Sequence, residues 1–200
     1  MSTESGDVQD LFDRIAACKQ RASPLKATGF RSTGTKYANE ADLLSGHGAG
    51  AHGGRWNPRG LTAIYASLDP VTATKESYYE LLQSGFPATV IRPRVMVGLA
   101  IDLKQVLNLT DGRIRRSLGL TVADLIEEDW SAIQLSGEEP WTQAIGRGAA
   151  EAGFEGMLVP SARQLRGKNA VIFPGNLRRG STVEAMAKED LPPHPKEWPG

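Results

Sequence analysis

The sequence predicts an α+β fold in a single domain, and three observations carry the prediction. Its 200 residues, 40% hydrophobic and 23% charged, are enough to enclose one core. Segments with helical spacing of apolar residues occur beside short runs of strand composition. The 22 glycines and 12 prolines put much of the chain into shaped loops, which disfavours a bundle of long helices. No internal repeat and no second domain is visible.

Taken in order, Val8, Leu11, Phe12, Ile15 and Ala16 follow the i, i+3, i+4, i+7 spacing of an amphipathic helix, with Asp7 and Asp10 near its positive end. Ser23 and Pro24 end that pattern, and residues 28–32 read as a short first strand carrying Arg31 among small residues. A short helix is expected over 39–44. The run SGHGAGAHGGRWNPRG, residues 45–60, is too glycine-rich for a regular element and reads as a shaped loop. Residues 61–67 have strand composition, and Asp69-Pro70 supplies an N-cap and a first-turn proline for a helix to about Leu82. That places Tyr65 on a strand and Glu76 on the helix after it.

Residues 89–97 are a strand candidate despite Pro93, and 100–103 extend the sheet. Residues 111–130 read as one or two short helices, the second opened by Thr121 with Asp124 in its first turn. A helix over 142–152 stops at Gly153, after which 156–159 and 170–173 read as buried strands flanking a polar loop that holds Ser161 and Asn169. The tail, PPHPKEWPG at its end, reads as poorly ordered.

Composition narrows the function classes. Twenty-three basic and 23 acidic residues cancel, removing the electrostatic case for general nucleic-acid affinity or for an anionic membrane. The lone cysteine, Cys18, excludes an internal disulfide and any multi-cysteine metal cage. The N-terminus has no basic stretch followed by an apolar one, and no apolar run approaches the roughly 18 residues of a membrane span. The expectation is a soluble cytoplasmic protein that binds no metal.

Several constellations compete for the chemistry. Gly48, Gly50 and Gly53 spell G-x-G-x-x-G, but the run neither follows a strand nor opens a helix, so a dinucleotide fingerprint is not indicated. His47 and His52 lack a third ligand at a recognisable spacing and read as loop histidines. Ser161 has no readable activating base and is expected to donate hydrogen bonds rather than attack. Arg113, Arg115, Arg116, Arg178 and Arg179 read as solvated faces. The informative set is Arg31, Arg55, Tyr65, Glu76 and Ser161. Two arginines, one in a strand of small residues and one beside a glycine loop, suit a bidentate clamp on a pyrophosphate. They equally suit ion pairs with Glu76 or Glu80, and on residue types alone both readings stand.

The ordered motifs add up to a resemblance. Gly53-Gly54-Arg55-Trp56-Asn57-Pro58, Ile64-Tyr65-Ala66-Ser67, Glu76, Pro160-Ser161-Ala162-Arg163, Gly167-Lys168-Asn169 and Ile172-Phe173-Pro174 closely resemble the RES domain. The likeness runs from about Phe30 to Gly175. It implies a diphtheria-toxin-like ADP-ribosyltransferase fold of mixed sheets flanked by helices, with a helical extension over 1–22, the RES domain over 23–180 and a partly disordered tail over 181–200. It also implies an NAD-consuming toxin whose usual partner is an Xre-type helix-turn-helix antitoxin. Carried over residue by residue, Glu76, Arg31 and Ser161 are the expected catalytic set, and Arg31, Arg55, Tyr65, Ser161 and Asn169 the expected NAD-binding set. NAD is the substrate, and inorganic phosphate, water or a protein side chain is the acceptor. A catalytically idle nucleotide- or partner-binding module is the alternative outside enzymes. Two features depart from the family pattern: the N-terminal helix, and the long spacing between Glu76 and Ser161, where 113–140 reads as an insertion.

Overall fold

The computed structural model describes residues 5–83 and 94–197. Among them, six strands form one mixed sheet: β1 (Ser23–Gly34), β2 (Ile64–Ser67), β3 (Arg94–Asn108), β4 (Gly156–Pro160), β5 (Lys168–Ile172) and β6 (Thr182–Ala185). The order is β1-β2-β5-β4-β3-β6, and β1 also pairs with β3, so the first five strands close into a ring. Only β3 and β4 run parallel; the other pairs are antiparallel. Among the described residues, eight α-helices surround the sheet: α1 (Ser5–Ala17), α2 (Glu40–Ser45), α3 (His47–His52), α4 (Pro70–Gln83), α5 (Gly112–Leu118), α6 (Val122–Ile126), α7 (Trp130–Leu135) and α8 (Trp141–Glu151). No described helix is long and apolar enough to cross a membrane.

The two-residue period of the strands divides the interior in two. Tyr65, Met157, Val159 and Val171 face a core built with Leu11 and Ile15 of α1, Ile114 and Leu118 of α5, and Ile145 of α8. Their neighbours Ile64, Ala66, Leu158, Ala170 and Ile172 face a second core with alternate residues of β3, from Val97 to Leu103, and with Leu43 of α2. Each of these strands is therefore apolar on both faces, which is why 156–159 and 170–173 read as continuous apolar runs. Leu11 and Ile15 are fully buried, so α1 is an integral wall of the first core.

Local signals place most helix starts. The Asn39 side chain accepts from the Asp42 N–H at 3.0 Å and caps α2, Asp69 accepts from the Thr72 N–H at 2.8 Å and caps α4, and Thr121 with Asp124 forms a capping box on α6.

Four regions differ from expectation. β1 is 12 residues long rather than five, because its whole length pairs with β3. The expected strands over 89–97 and 100–103 are replaced by a continuous β3 from Arg94; residues 89–93 lie outside the described residues. Residues 47–52, expected as loop, form α3, which Gly46 (φ 67°) and Gly53 (φ 78°) bound with left-handed and extended positive-φ turns. Glycine is a poor helix former, but side chains outside α3 fix its carbonyls: Asn57 Nδ2 donates to Ala49 O at 2.9 Å and Gln134 Nε2 to His52 O at 3.2 Å. Finally, β6 lies in the segment read as tail and pairs with β3 from Leu99 to Asp102.

Candidate active site

The G-R-W-N loop is built around Asn57, which is fully buried. Its amide donates to the carbonyls of Ala49, Pro58 and Leu61, and its Oδ1 accepts from the Tyr65 hydroxyl at 2.7 Å. The same hydroxyl accepts from the Trp56 N–H at 3.0 Å. Gly54 has to be glycine here, since a Cβ would lie 2.7 Å from the Tyr65 hydroxyl and 2.9 Å from Asn57 Oδ1. Gln143 of α8 secures the other side by donating to Gly54 O at 2.9 Å. Tyr65 thus spends its hydroxyl on shaping the loop that carries Arg55.

Arg55 is held by main-chain carbonyls: Nη1 donates to Glu128 O at 3.1 Å and to Leu125 O at 3.4 Å. Those carbonyls belong to the last turn of α6 and to the turn between α6 and α7, inside the stretch that read as an insertion. Glu128 fixes that turn with its carboxylate, which accepts from the N–H groups of Trp141 and Thr142 at 2.7 and 2.9 Å and so caps α8. Burial, and after it the charge of Arg163, lower the Arg55 pKa below the ordinary arginine value, against the opposing influence of Glu128, Glu76 and Tyr65. Arg55 therefore lies within electrostatic reach of a second guanidinium and of the Glu76 carboxylate.

Glu76 stands on the second turn of α4. Its Oε1 accepts from the Ser161 hydroxyl at 2.5 Å and from Asn169 Nδ2 at 2.8 Å. Ser161 is itself fixed, since Oγ accepts from the N–H groups of Arg163 and Gln164 at 3.1 and 3.0 Å and its own N–H donates to Gly167 O at 2.9 Å. Asn169 is oriented by Ser67, whose hydroxyl donates to Asn169 Oδ1 at 2.7 Å. That bond sets the amide so that its NH2 faces Glu76.

Register brings Arg31 alongside. Phe30 is the residue through which β1 pairs with Ser67 of β2, and Ser67 is paired in turn with Asn169 of β5. Arg31 follows Phe30, half-buried, with Val97 across from it on β3. Beside Glu76, Ser77 donates to Ser32 Oγ at 3.1 Å, so α4 is tied to β1 next to Arg31. Glu76, Ser161 and Asn169 are thus in direct contact, Arg55 within electrostatic reach, Tyr65 beneath the loop, and Arg31 on the adjoining strand. The side chain of Glu80, the other acid weighed as an arginine partner, lies outside the described residues.

Ser67, Asn57, Glu128, Gln143 and Arg163 support the site, and sequence reasoning gave none of them a role. Ser67, Asn57 and Arg163 stood in the motifs already quoted; Glu128 and Gln143 carried no local signal. His47 and His52 sit at opposite ends of α3, and among the described residues no group of three or more His, Cys, Asp or Glu is placed to hold a metal ion.

The RES domain family model matches residues 28–194. The chain belongs to the RES domain family. This RES chain is similar to NAD(+) phosphorylase MbcT of Mycobacterium tuberculosis, 31% identical over 141 residues that cover 68% of this chain and 67% of the relative. A probable NAD(+) phosphorylase of the same organism is 30% identical over 153 residues, covering 76% of this chain and 66% of the relative. Among solved structures, the crystal structure of the M. tuberculosis MbcT-MbcA toxin-antitoxin complex matches with a TM-score of 0.68 and 26% identity, over 94% of this RES chain and 97% of the other. The match to the family model extends past the expected boundary at residue 180 and takes in β6.

Proposed function

We propose that this chain is an NAD(+) phosphorylase, cleaving the nicotinamide–ribose bond of NAD with inorganic phosphate as acceptor, and that it is the toxin of a toxin–antitoxin pair. The observation that carries this reading is the Glu76 carboxylate, aimed by Ser161 and Asn169 beside Arg55, in a RES chain whose relatives bear the phosphorylase name.

Breaking the C1″–N1 bond sends the bonding electron pair to nicotinamide, which departs as a neutral base, while positive charge grows on the ribose. A neutral leaving group needs no general acid, so one carboxylate serves. Glu76 faces the developing cation and stabilises it electrostatically. Ser161 and Asn169 hold Oε1, which fixes the carboxylate without cancelling its charge. Arg55 and Arg31 bind the diphosphate and steer the incoming phosphate, whose oxygen forms the new bond to C1″. Tyr65 keeps the Arg55 loop in place and offers its ring as a wall for nicotinamide. We read the closed strand ring as the ADP-ribosyltransferase-like fold that the family resemblance implies, working in the cytoplasm where NAD is found. The likeness to a toxin–antitoxin complex supports a protein antitoxin, of the Xre type by resemblance, as partner.

The test is incubation of purified protein with NAD, with and without inorganic phosphate, followed by chromatographic identification of products. Nicotinamide and ADP-ribose 1″-phosphate, formed only with phosphate, are expected. Free ADP-ribose formed equally without phosphate would make the enzyme a glycohydrolase, and intact NAD would overturn the reading.

A further inference from the structure

A cavity of about 340 Å³ opens beside this centre, lined by Thr74, Lys75, Tyr78 and Tyr79 of α4 and by Arg163. Its lining residues neighbour site residues along the chain. Lys75 and Tyr79 flank Glu76 on the same helix, and Arg163 lies two residues beyond Ser161, with its N–H on the Ser161 hydroxyl at 3.1 Å. Arg163 is half-buried. Its guanidinium carbon sits over the Tyr79 ring, 3.1 Å from the centroid, which holds a planar cation against a planar aromatic at the cavity wall. Lys75 is tied across the cavity edge to Gln164 Oε1 at 2.5 Å, so both sides of the opening are anchored.

Two features point to an occupant. A guanidinium stacked on an aromatic ring presents a flat face with donors along its edge, the surface on which a nucleobase stacks and a phosphate hydrogen-bonds. The charge of Arg163 is, after burial, the next influence disfavouring the charge of Arg55, and an anion between the two guanidiniums offsets it. NAD supplies both chemistries on one side of the bond to be cut: if Glu76 faces C1″, the diphosphate and the adenosine must leave the site in a single direction.

Resting on the NAD reading above, we propose that this cavity is a purine-nucleotide subsite: adenine packs against the Arg163–Tyr79 stack, and the diphosphate lies between Arg163 and Arg55. Arg163 is then a specificity residue that selects dinucleotide over nicotinamide mononucleotide.

The experiment has a binding arm and a kinetic arm, both on the full chain. Calorimetry with AMP, with adenosine and with inorganic phosphate compares the unaltered protein with Arg163→Ala and Arg163→Lys, using near-ultraviolet circular dichroism to establish folding. AMP should bind, and Arg163→Ala should weaken it about tenfold, the loss of one charged, stacked contact. Arg163→Lys should recover only part, because it returns the charge without the plane. In turnover, Arg163→Ala should raise the KM for NAD about tenfold with the smaller effect on kcat, and lower the ratio of kcat/KM for NAD to that for nicotinamide mononucleotide by a similar factor. AMP that fails to bind, or that binds Arg163→Ala as well as the unaltered protein, overturns the subsite. So does binding of inorganic phosphate alone with the same Arg163 dependence, which would make the cavity a phosphate-acceptor site. Arg163-dependent AMP binding without any NAD turnover would leave the subsite standing and remove the phosphorylase reading; NAD turnover without AMP binding would do the reverse.

Discussion

Glu76 is oriented by a hydroxyl and an amide, donors that hold a carboxylate in place and leave its charge available to a cationic centre. Glu76→Gln keeps the size and both neighbours but removes that charge. NAD turnover should fall by at least about 100-fold while the thermal melt stays close to that of the unaltered protein. A variant retaining most of its turnover would remove Glu76 from the chemistry. Ser67 acts one step further back. Ser67→Ala frees the Asn169 amide to turn over and present its oxygen to Glu76, repelling the carboxylate. Here kcat should drop about tenfold, with KM less altered, because a misaligned group costs rate more than binding. An equal change in both constants would make Ser67 a packing residue only.

Among elements, α8 and β4 carry the tightest constraints. Gly146 of α8 packs directly on the Trp56 carbonyl, so a methyl group there collides with main chain of the Arg55 loop. Gly146→Ala should cost about 1–3 kcal/mol, measured by denaturant unfolding, and reduce NAD turnover in protein that still folds. An unchanged midpoint and rate would show that the loop can yield. Before β4, the fully buried Glu155 accepts hydrogen bonds from the N–H groups of Lys104, Gln105 and Arg178 at 2.7, 2.7 and 2.8 Å, joining three segments at one carboxylate. Burial alone would raise its pKa, but the Ser181 side chain and these N–H groups outweigh burial and bring it below the usual glutamate value. A lowered folded-state pKa gives stability that is present above the unfolded value, roughly 4.3, and is lost as pH falls through the folded one. Glu155→Gln should therefore be less stable at pH 7, by about 1.5–3 kcal/mol in denaturant unfolding, and the gap to the unaltered protein should narrow below about pH 4. A gap independent of pH would show that the charge contributes nothing.

For the whole molecule, the balance of 23 acidic and 23 basic residues leaves recognition to local chemistry. An enzyme that drains NAD injures the cell that makes it, so expression of this chain alone should lower cellular NAD and arrest growth, and Glu76→Gln should restore both. Normal NAD and growth with folded protein present would end the toxin reading. On the proposed reading an inhibitor would occupy the site beside Arg55, and a carboxylate or similar anion on an inserted peptide suits it.

Much of this molecule is written in short-range code. Asn39, Asp69 and Thr121 mark their helix starts because a cap bonds the backbone two or three residues away, and the period of 156–159 and 170–173 marks strands because alternate residues face opposite sides. The motifs that carry Arg55, Glu76, Ser161 and Asn169 are equally local, and they were enough to suggest one shared site. Other features depend on partners far along the chain. Arg55 takes its position from carbonyls 70 and 73 residues away, Ser67 is set against Asn169 across 102 residues, and the C-terminal carbonyl of the glycine-rich α3 is held by Gln134, 82 residues from His52. The length of β1, the pairing of β6 and the closure of the ring likewise follow from strands that meet only in the folded chain. Local propensities amount to fractions of a kcal/mol per residue, and a buried, satisfied hydrogen bond from a distant segment can exceed them, so the ordered motifs pointed to the chemistry only through their likeness to the RES domain, and long-range packing set the positions of the side chains.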